Sequence, residues 1–428
     1  MNPMEGIKVS FDLGESRFRA VVAKQGDDSL RIIASAEVES SGIEGGAISD
    51  KIALSTSLSK CIRMVESQIG FPISEAVVIV PAIFTRHQNG QGVRRIGGRT
   101  RGIRENDLNK ALYNISYEEN SGTSTECLDF EKTLYELDGK YFMDPPIGIP
   151  GRELSIFIST ISIETATKIA FEEVFSSLGV DKIKLVPNQR AGTLGALTEG
   201  ERKLGAILFD IGNRVSTVTL VKGDRMLDSG TIPGGGFHLT NDLSLGLSIN
   251  QEVAEKVKLE FGTTNLDIGS AEVSVETNDD EPILINRVRM IELLKERAKE
   301  IVGMTEKYMH ASGYGELPAG GIVLTGGSSQ LPGLADMIRQ RFNCQVRVGG
   351  PRGAERISDN LNLPYWAPSV GGLLWSNDSI ENKLPLIIKK LMSQFQIIKQ
   401  YLPDNNPESA PTLASRDTKT QGEVALTK

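Results

Sequence analysis

Two aspartates, each followed at the second position by a glycine, offer the first chemistry in this sequence. Asp12 lies in Val9-Ser10-Phe11-Asp12-Leu13-Gly14, and Asp210 in Ile207-Leu208-Phe209-Asp210-Ile211-Gly212. A glycine without Cβ lets backbone N–H groups approach a phosphate closely, and the neighbouring carboxylate can hold a metal-bound water. After each glycine comes a second alternating apolar run, then Lys24 or Lys222, each twelve residues beyond its aspartate, and a turn at Gly26-Asp27 or Gly223-Asp224. This is the pattern of strand, turn and strand. The two copies are 198 residues apart, too far for a solenoid or propeller repeat. They predict a duplicated domain whose halves face each other across a cleft.

A third glycine signature runs from Gly320 to Phe342. An apolar strand enters Gly326-Gly327 and Ser328-Ser329, and a helix follows with Leu334, Met337, Ile338 and Phe342 on one face. A strand, two glycines and a helix N-terminus let the sugar and base of a nucleotide lie against bare backbone.

Together these segments resemble the phosphate-1, phosphate-2 and adenosine motifs of the actin, Hsp70 and sugar-kinase superfamily. Within it the chain most resembles the FtsA family of bacterial cell-division proteins. Ile232 to Gly262, with IPGGGF at its start, resembles that family's stretch after phosphate 2, and QVRVGGP and PSVGGLLW follow in order. The resemblance covers Lys8 to Trp375. It implies an α/β fold of actin-like, duplicated ribonuclease-H-like domains around a nucleotide cleft, with a small α+β insertion subdomain.

The resemblance also implies ATP or ADP with Mg²⁺ as cofactors. Asp12 and Asp210 would hold the ion through water and belong to the catalytic set. The residue that positions the attacking water falls on Asn188 or Gln189, with Gln189 placed beside the two aspartates in that set. Nucleotide contacts are expected from Gly14, Ser16, Arg17, Gly212, Asn213, Gly235, Gly236, Gly326, Gly327 and Ser328. Glu255 and Lys258, three apart on one helix face, would meet the ribose. The expected partners are the FtsZ C-terminal tail, received on the long helix by Arg297, other division proteins, and further copies of the chain in filaments.

The motifs depart from the family at two points. Glu15 stands where FtsA has a small hydroxyl residue, so a carboxylate meets triphosphate charge of like sign unless Arg17 or Mg²⁺ compensates. Asn213 and Arg214 stand where glycines let backbone approach, and Arg214 either pairs with phosphate or points to solvent. ATP binding with little hydrolysis is the expectation. A PilM-like role in type IV pilus assembly is the alternative. A sugar or acetate kinase is weaker, since no general-base Asp is found to face a sugar pocket.

The elements that must position these groups can be read in order. Residues 1–84 and 165–203 make the first half, with a closing helix at 366–376. Residues 204–242 and 315–365 make the second half, and 243–314 its helical subdomain. Residues 85–164 are the insertion, in which the Gly- and Arg-rich stretch Arg86–Gly102 is expected to be a surface loop. Residues 377–402 are a linker and amphipathic helix, and 403–428 a polar tail of disordered composition.

Within Leu384–Leu402, Ile387, Ile388, Leu391, Phe395, Ile398 and Leu402 share one side, and Lys389, Lys390 and Gln396 the other. That pattern predicts a helix lying on a membrane surface rather than crossing it. No stretch approaches ~18 apolar residues, and the N-terminus lacks a signal pattern. Net charge −8 and a pI near 5.3 argue against a nucleic-acid partner. Three scattered cysteines read as reduced thiols. The expected location is cytoplasmic, peripheral on the inner face of the membrane, at the division septum.

Overall fold

The computed structural model describes residues 5–26, 29–97, 101–116, 124–265, 271–276, 282–312 and 317–375. Two sheets in it share a five-strand order, and the first adds a sixth strand, Ala354–Glu355, which comes from the stretch expected in the second half but pairs parallel with Leu30–Glu39. In the first, Ile7–Leu13, Arg17–Gln25 and Leu30–Glu39 form an antiparallel meander. Glu75–Val80 lies parallel on the other side of Ile7–Leu13, and Lys182–Pro187 parallel beyond it. In the second, Ala206–Ile211, Val215–Lys222 and Arg225–Pro233 form the meander. Ile322–Thr325 and Val346–Val348 add in parallel on the other side.

Local sequence explains these elements. Every residue of Ala206–Ile211 is buried, as an apolar run between two packed layers requires. A parallel neighbour needs a crossover, which the helix Lys51–Ile69 supplies in the first half. Asp50 starts that helix by accepting the Ile52 and Ala53 N–H groups, and Gly70 ends it at φ +82°.

The insertion is a separate antiparallel sheet built on Thr85–Arg95, Thr125–Leu137 and Glu153–Glu164, with the helix Glu105–Tyr113 against it. The loop expected at Arg86–Gly102 is therefore wrong for most of its length, because Thr85–Arg95 pairs with Glu153–Glu164 from end to end. Its glycines have a packing reason. A Cβ added at Gly92 would lie 2.1 Å from the Ala111 carbonyl oxygen, so the bare backbone lets the helix approach. Polar side chains on the strand are bonded rather than solvated: His87 to Ser159 and Asn89 to Asp228.

In the second half, the helices Gly236–Leu247, Gln251–Phe261 and Arg287–Ala311 carry much of the core, including Leu243, Val257, Leu294 and Ile301. Two short helices join the halves. Asn188–Ala196 follows the last parallel strand of the first sheet, yet Ala196 and the adjoining Leu197 pack with Leu208, Val221 and Val323 of the second. Ala367–Leu374 comes after the second sheet, yet Val370 and Leu373 pack with Val21, Ala23, Leu30 and Ile32 of the first. Where the helices cross, an added Cβ at Gly195 would stand 1.8 Å from the Ala367 carbonyl oxygen. One at Gly371 would stand 1.8 Å from that of Ala191.

Candidate functional site

The two hairpin turns, Gly14–Ser16 and Gly212–Arg214, come from matching positions of the two sheets. In each, an added Cβ on the glycine would meet the carbonyl oxygen three residues on, Arg17 or Val215, at 2.7 Å. The turns also touch across the cleft: the Arg214 N–H donates to Glu15 Oε2 at 3.2 Å. Burial raises the Glu15 carboxyl, while this bond and the Arg214 guanidinium lower it. The Arg214 side chain itself stacks over the Phe237 ring, 4.1 Å from its centroid. It is therefore partly buried rather than pointing to solvent.

Asp12 and Asp210 are buried at the strand ends beside these turns. Burial pushes the Asp12 carboxyl up to about 7, Arg19 pulls it down, and the charge of Asp210 pushes it further up. Asp210 is raised by burial and held lower by the Asn188 amide and by Arg19. A pair of buried carboxylates repelling each other fits a cation. Magnesium commonly rests on one or two carboxylates plus substrate phosphates, so these are the residues that would hold it.

Asn188 Nδ2 donates to Asp210 Oδ2 at 2.5 Å. Gln189 is 2% exposed and donates to the Thr85 hydroxyl at 3.2 Å. Of the two residues left open by the sequence, Asn188 is the one beside the aspartates.

The second half brings most of the expected nucleotide residues together. A Cβ at Gly326, where φ is +82°, would lie 2.4 Å from Asp210 Oδ1. One at Gly235 would lie 2.5 Å from the Gly212 and Asn213 carbonyl oxygens. Ser328 Oγ donates to the Gly212 carbonyl oxygen at 3.3 Å, and Gly327 begins the 3-10 turn that contains it. Lys258 Nζ donates to Glu255 at 2.7 Å, the Thr240 hydroxyl at 2.8 Å and the Gly236 carbonyl oxygen at 3.1 Å. Glu255 and Lys258 thus meet at the start of the helix Gly236–Leu247.

Three expected residues stand apart. Ser16 and Arg17 are exposed, and Arg17 pairs at 3.5 Å with exposed Glu39. Arg297 forks onto Asp242 at 2.7 and 2.9 Å and also pairs with Glu300. Ile387, Ile388, Leu391, Phe395, Ile398 and Leu402, expected to face a membrane, lie outside the described residues.

Sequence reasoning missed Arg19. Strand pairing sets it opposite Asp12 and also opposite Glu37, in one row across three strands. Its Nε donates to Glu37 at 2.6 Å, one terminal nitrogen lies 4.0 Å from Asp12, and the Tyr365 ring centroid lies 4.5 Å away. A three-residue turn between the strands fixes that register, so the alternation after Gly14 held the signal.

Comparison with known proteins gives the family context. The sequence model of "Cell division protein FtsA" matches residues 207–371. FtsA of Bacillus subtilis is 26% identical over 354 residues, covering 80% of this chain and 78% of that protein. FtsA of Pseudomonas aeruginosa is 23% identical over 377 residues, covering 86% and 88%. Among solved structures, the PilM-PilN type IV pilus biogenesis complex aligns with TM-score 0.62 at 14% identity, covering 86% of this chain and 97% of that one. MreB5 of Spiroplasma citri bound to ADP aligns with TM-score 0.51 at 14% identity, covering 91% and 98%. The resemblance to FtsA is thereby borne out, and the fold is actin-like.

Proposed function

We propose that this chain is a nucleotide-binding, actin-like scaffold of cell division, acting as the FtsA relatives' name indicates. The observation that carries the nucleotide part is the cleft itself. Two turns of equal geometry, two buried aspartates and a strand–Gly326-Gly327 junction meet there without Cβ atoms where phosphate and sugar would lie. Bound Mg²⁺ would screen the developing and standing charge of the phosphates.

The chain's own residues do the rest. Asp12 and Asp210 would hold the ion through its waters, Asn188 steadies Asp210, and Lys258 with Glu255 braces the glycine turn at Gly236, where a ribose would lie. Arg19, held by Glu37, adds a fixed positive charge beside Asp12. Glu15, Asn213 and Arg214 stand where the family has a small hydroxyl residue and glycines, and with these departures binding outlasts hydrolysis. Division itself would follow from attachment of an FtsZ tail, from stacking of copies head to tail, and from membrane contact through the segment 384–402.

The test is titration of fluorescent FtsZ C-terminal peptide into the full chain with ADP or ATP and Mg²⁺. Saturable binding is expected, and a peptide from an inner-membrane pilus protein should fail to compete. Binding of the pilus peptide alone would instead favour the PilM-like role, which the TM-score of 0.62 keeps as the second reading.

A further inference from the structure

We propose that Glu15 makes the cleft selective for nucleoside diphosphates, because its carboxylate holds the place that a third phosphate would need. The inference rests on the nucleotide reading of the cleft. A turn amide aimed into such a cleft is a natural donor to a terminal phosphate oxygen. Here the Arg214 N–H is already taken by Glu15 Oε2, 3.2 Å away. The other carboxylate oxygen, Oε1, is buried with no hydrogen-bond partner. An unmatched buried carboxylate oxygen is costly, and burial raises this carboxyl although the Arg214 N–H and guanidinium partly offset it.

Glu15 thus sets a carboxyl group of the protein against the turn amide that a terminal phosphate would use. Of the three neighbouring arginines, two are paired with other carboxylates, and the third, Arg214, already acts on Glu15 itself. Arg17 pairs with Glu39 at the surface, Arg19 is held by Glu37, and the Arg214 guanidinium lies on Phe237. A nucleoside triphosphate must evict Glu15 or meet its charge at close range. A diphosphate is one group shorter and leaves the Glu15 contact in place.

The experiment is calorimetric titration of ADP and ATP, each with Mg²⁺, into full-length wild type, Glu15→Thr and Glu15→Gln. Thermal melts check that each variant is folded. Wild type is expected to bind ADP about tenfold more tightly than ATP. Glu15→Thr should bring the two affinities within about threefold, chiefly by tighter ATP binding. Glu15→Gln, which keeps the bulk and loses the charge, should fall between them. Equal ADP-to-ATP ratios in wild type and folded Glu15→Thr would overturn the role of Glu15 while leaving nucleotide binding intact. If no form binds either nucleotide, the nucleotide reading fails, and this inference with it.

Discussion

In the first hairpin the turn Gly14–Ser16 carries a carboxylate into the cleft, whereas in the second the turn Gly212–Arg214 presents an amide N–H to it. Their backbones are alike to the point that each glycine would strike the carbonyl oxygen three residues later at the same 2.7 Å. Their strands pair with the same neighbours in the same senses. What differs is the side chain at the middle of the turn and the subdomain each half has gained. The likeness of the halves therefore resides in backbone geometry, and their division of labour in a few side chains. One turn brings charge and the other receives it.

The strongest challenge to this equivalence is at the helix crossing. Gly195→Val and Gly371→Val should destabilise equally, by at least about 3 kcal/mol in denaturant unfolding, because each new side chain begins inside the partner's backbone. A large loss in only one of the two would show that the crossing is not reciprocal.

A milder pair sharpens the comparison at the turns. Gly14→Ala and Gly212→Ala should each cost about 1–3 kcal/mol, with losses that match. Gly327→Ala, where an added Cβ meets nothing within 4 Å, should change stability by less than about 0.5 kcal/mol. Thermal melts of the three variants measure this directly.

The smallest effect concerns what the halves do not share. The insertion carried by the first half reaches the second through His87, whose Nδ1 lies 3.4 Å from Asp228. Burial lowers the His87 pKa from 6.5, and the charge of Asp228 only partly opposes it. The folded state thus takes up its proton later than the unfolded state as pH falls. Its contribution is full above about 6.5 and is lost progressively below that value. Denaturation midpoints of wild type should fall between pH 7 and 5 relative to those of His87→Gln; parallel curves would refute it.

Much of this was legible in the sequence where a residue type has one physical use. Glycine after a buried aspartate marked both turns, and the spacing of Glu255 and Lys258 placed them on one helix face, where they meet. Legibility failed where pairing decides the outcome. Arg19 enters the site because a neighbouring strand sets it beside Asp12. Arg86–Gly102 has the composition of a loop, yet Thr85–Arg95 is a strand because Glu153–Glu164 pairs with it and Ser159 and Asp228 satisfy its polar groups. Ser16 and Arg17 lie on the outward side of a turn whose inward residue, Glu15, was read only as a departure from the family pattern.

The exchange of closing helices also orders events during synthesis. The face of the first sheet formed by Val21, Ala23, Leu30 and Ile32 is covered by Val370 and Leu373. A ribosome adding roughly 5–20 residues per second needs on the order of tens of seconds to reach them. Throughout that interval the nascent first half exposes an apolar sheet that no earlier segment of these two closing helices can cover. A chain released before Leu373 would therefore leave that apolar face of the first sheet without the side chains that cover it.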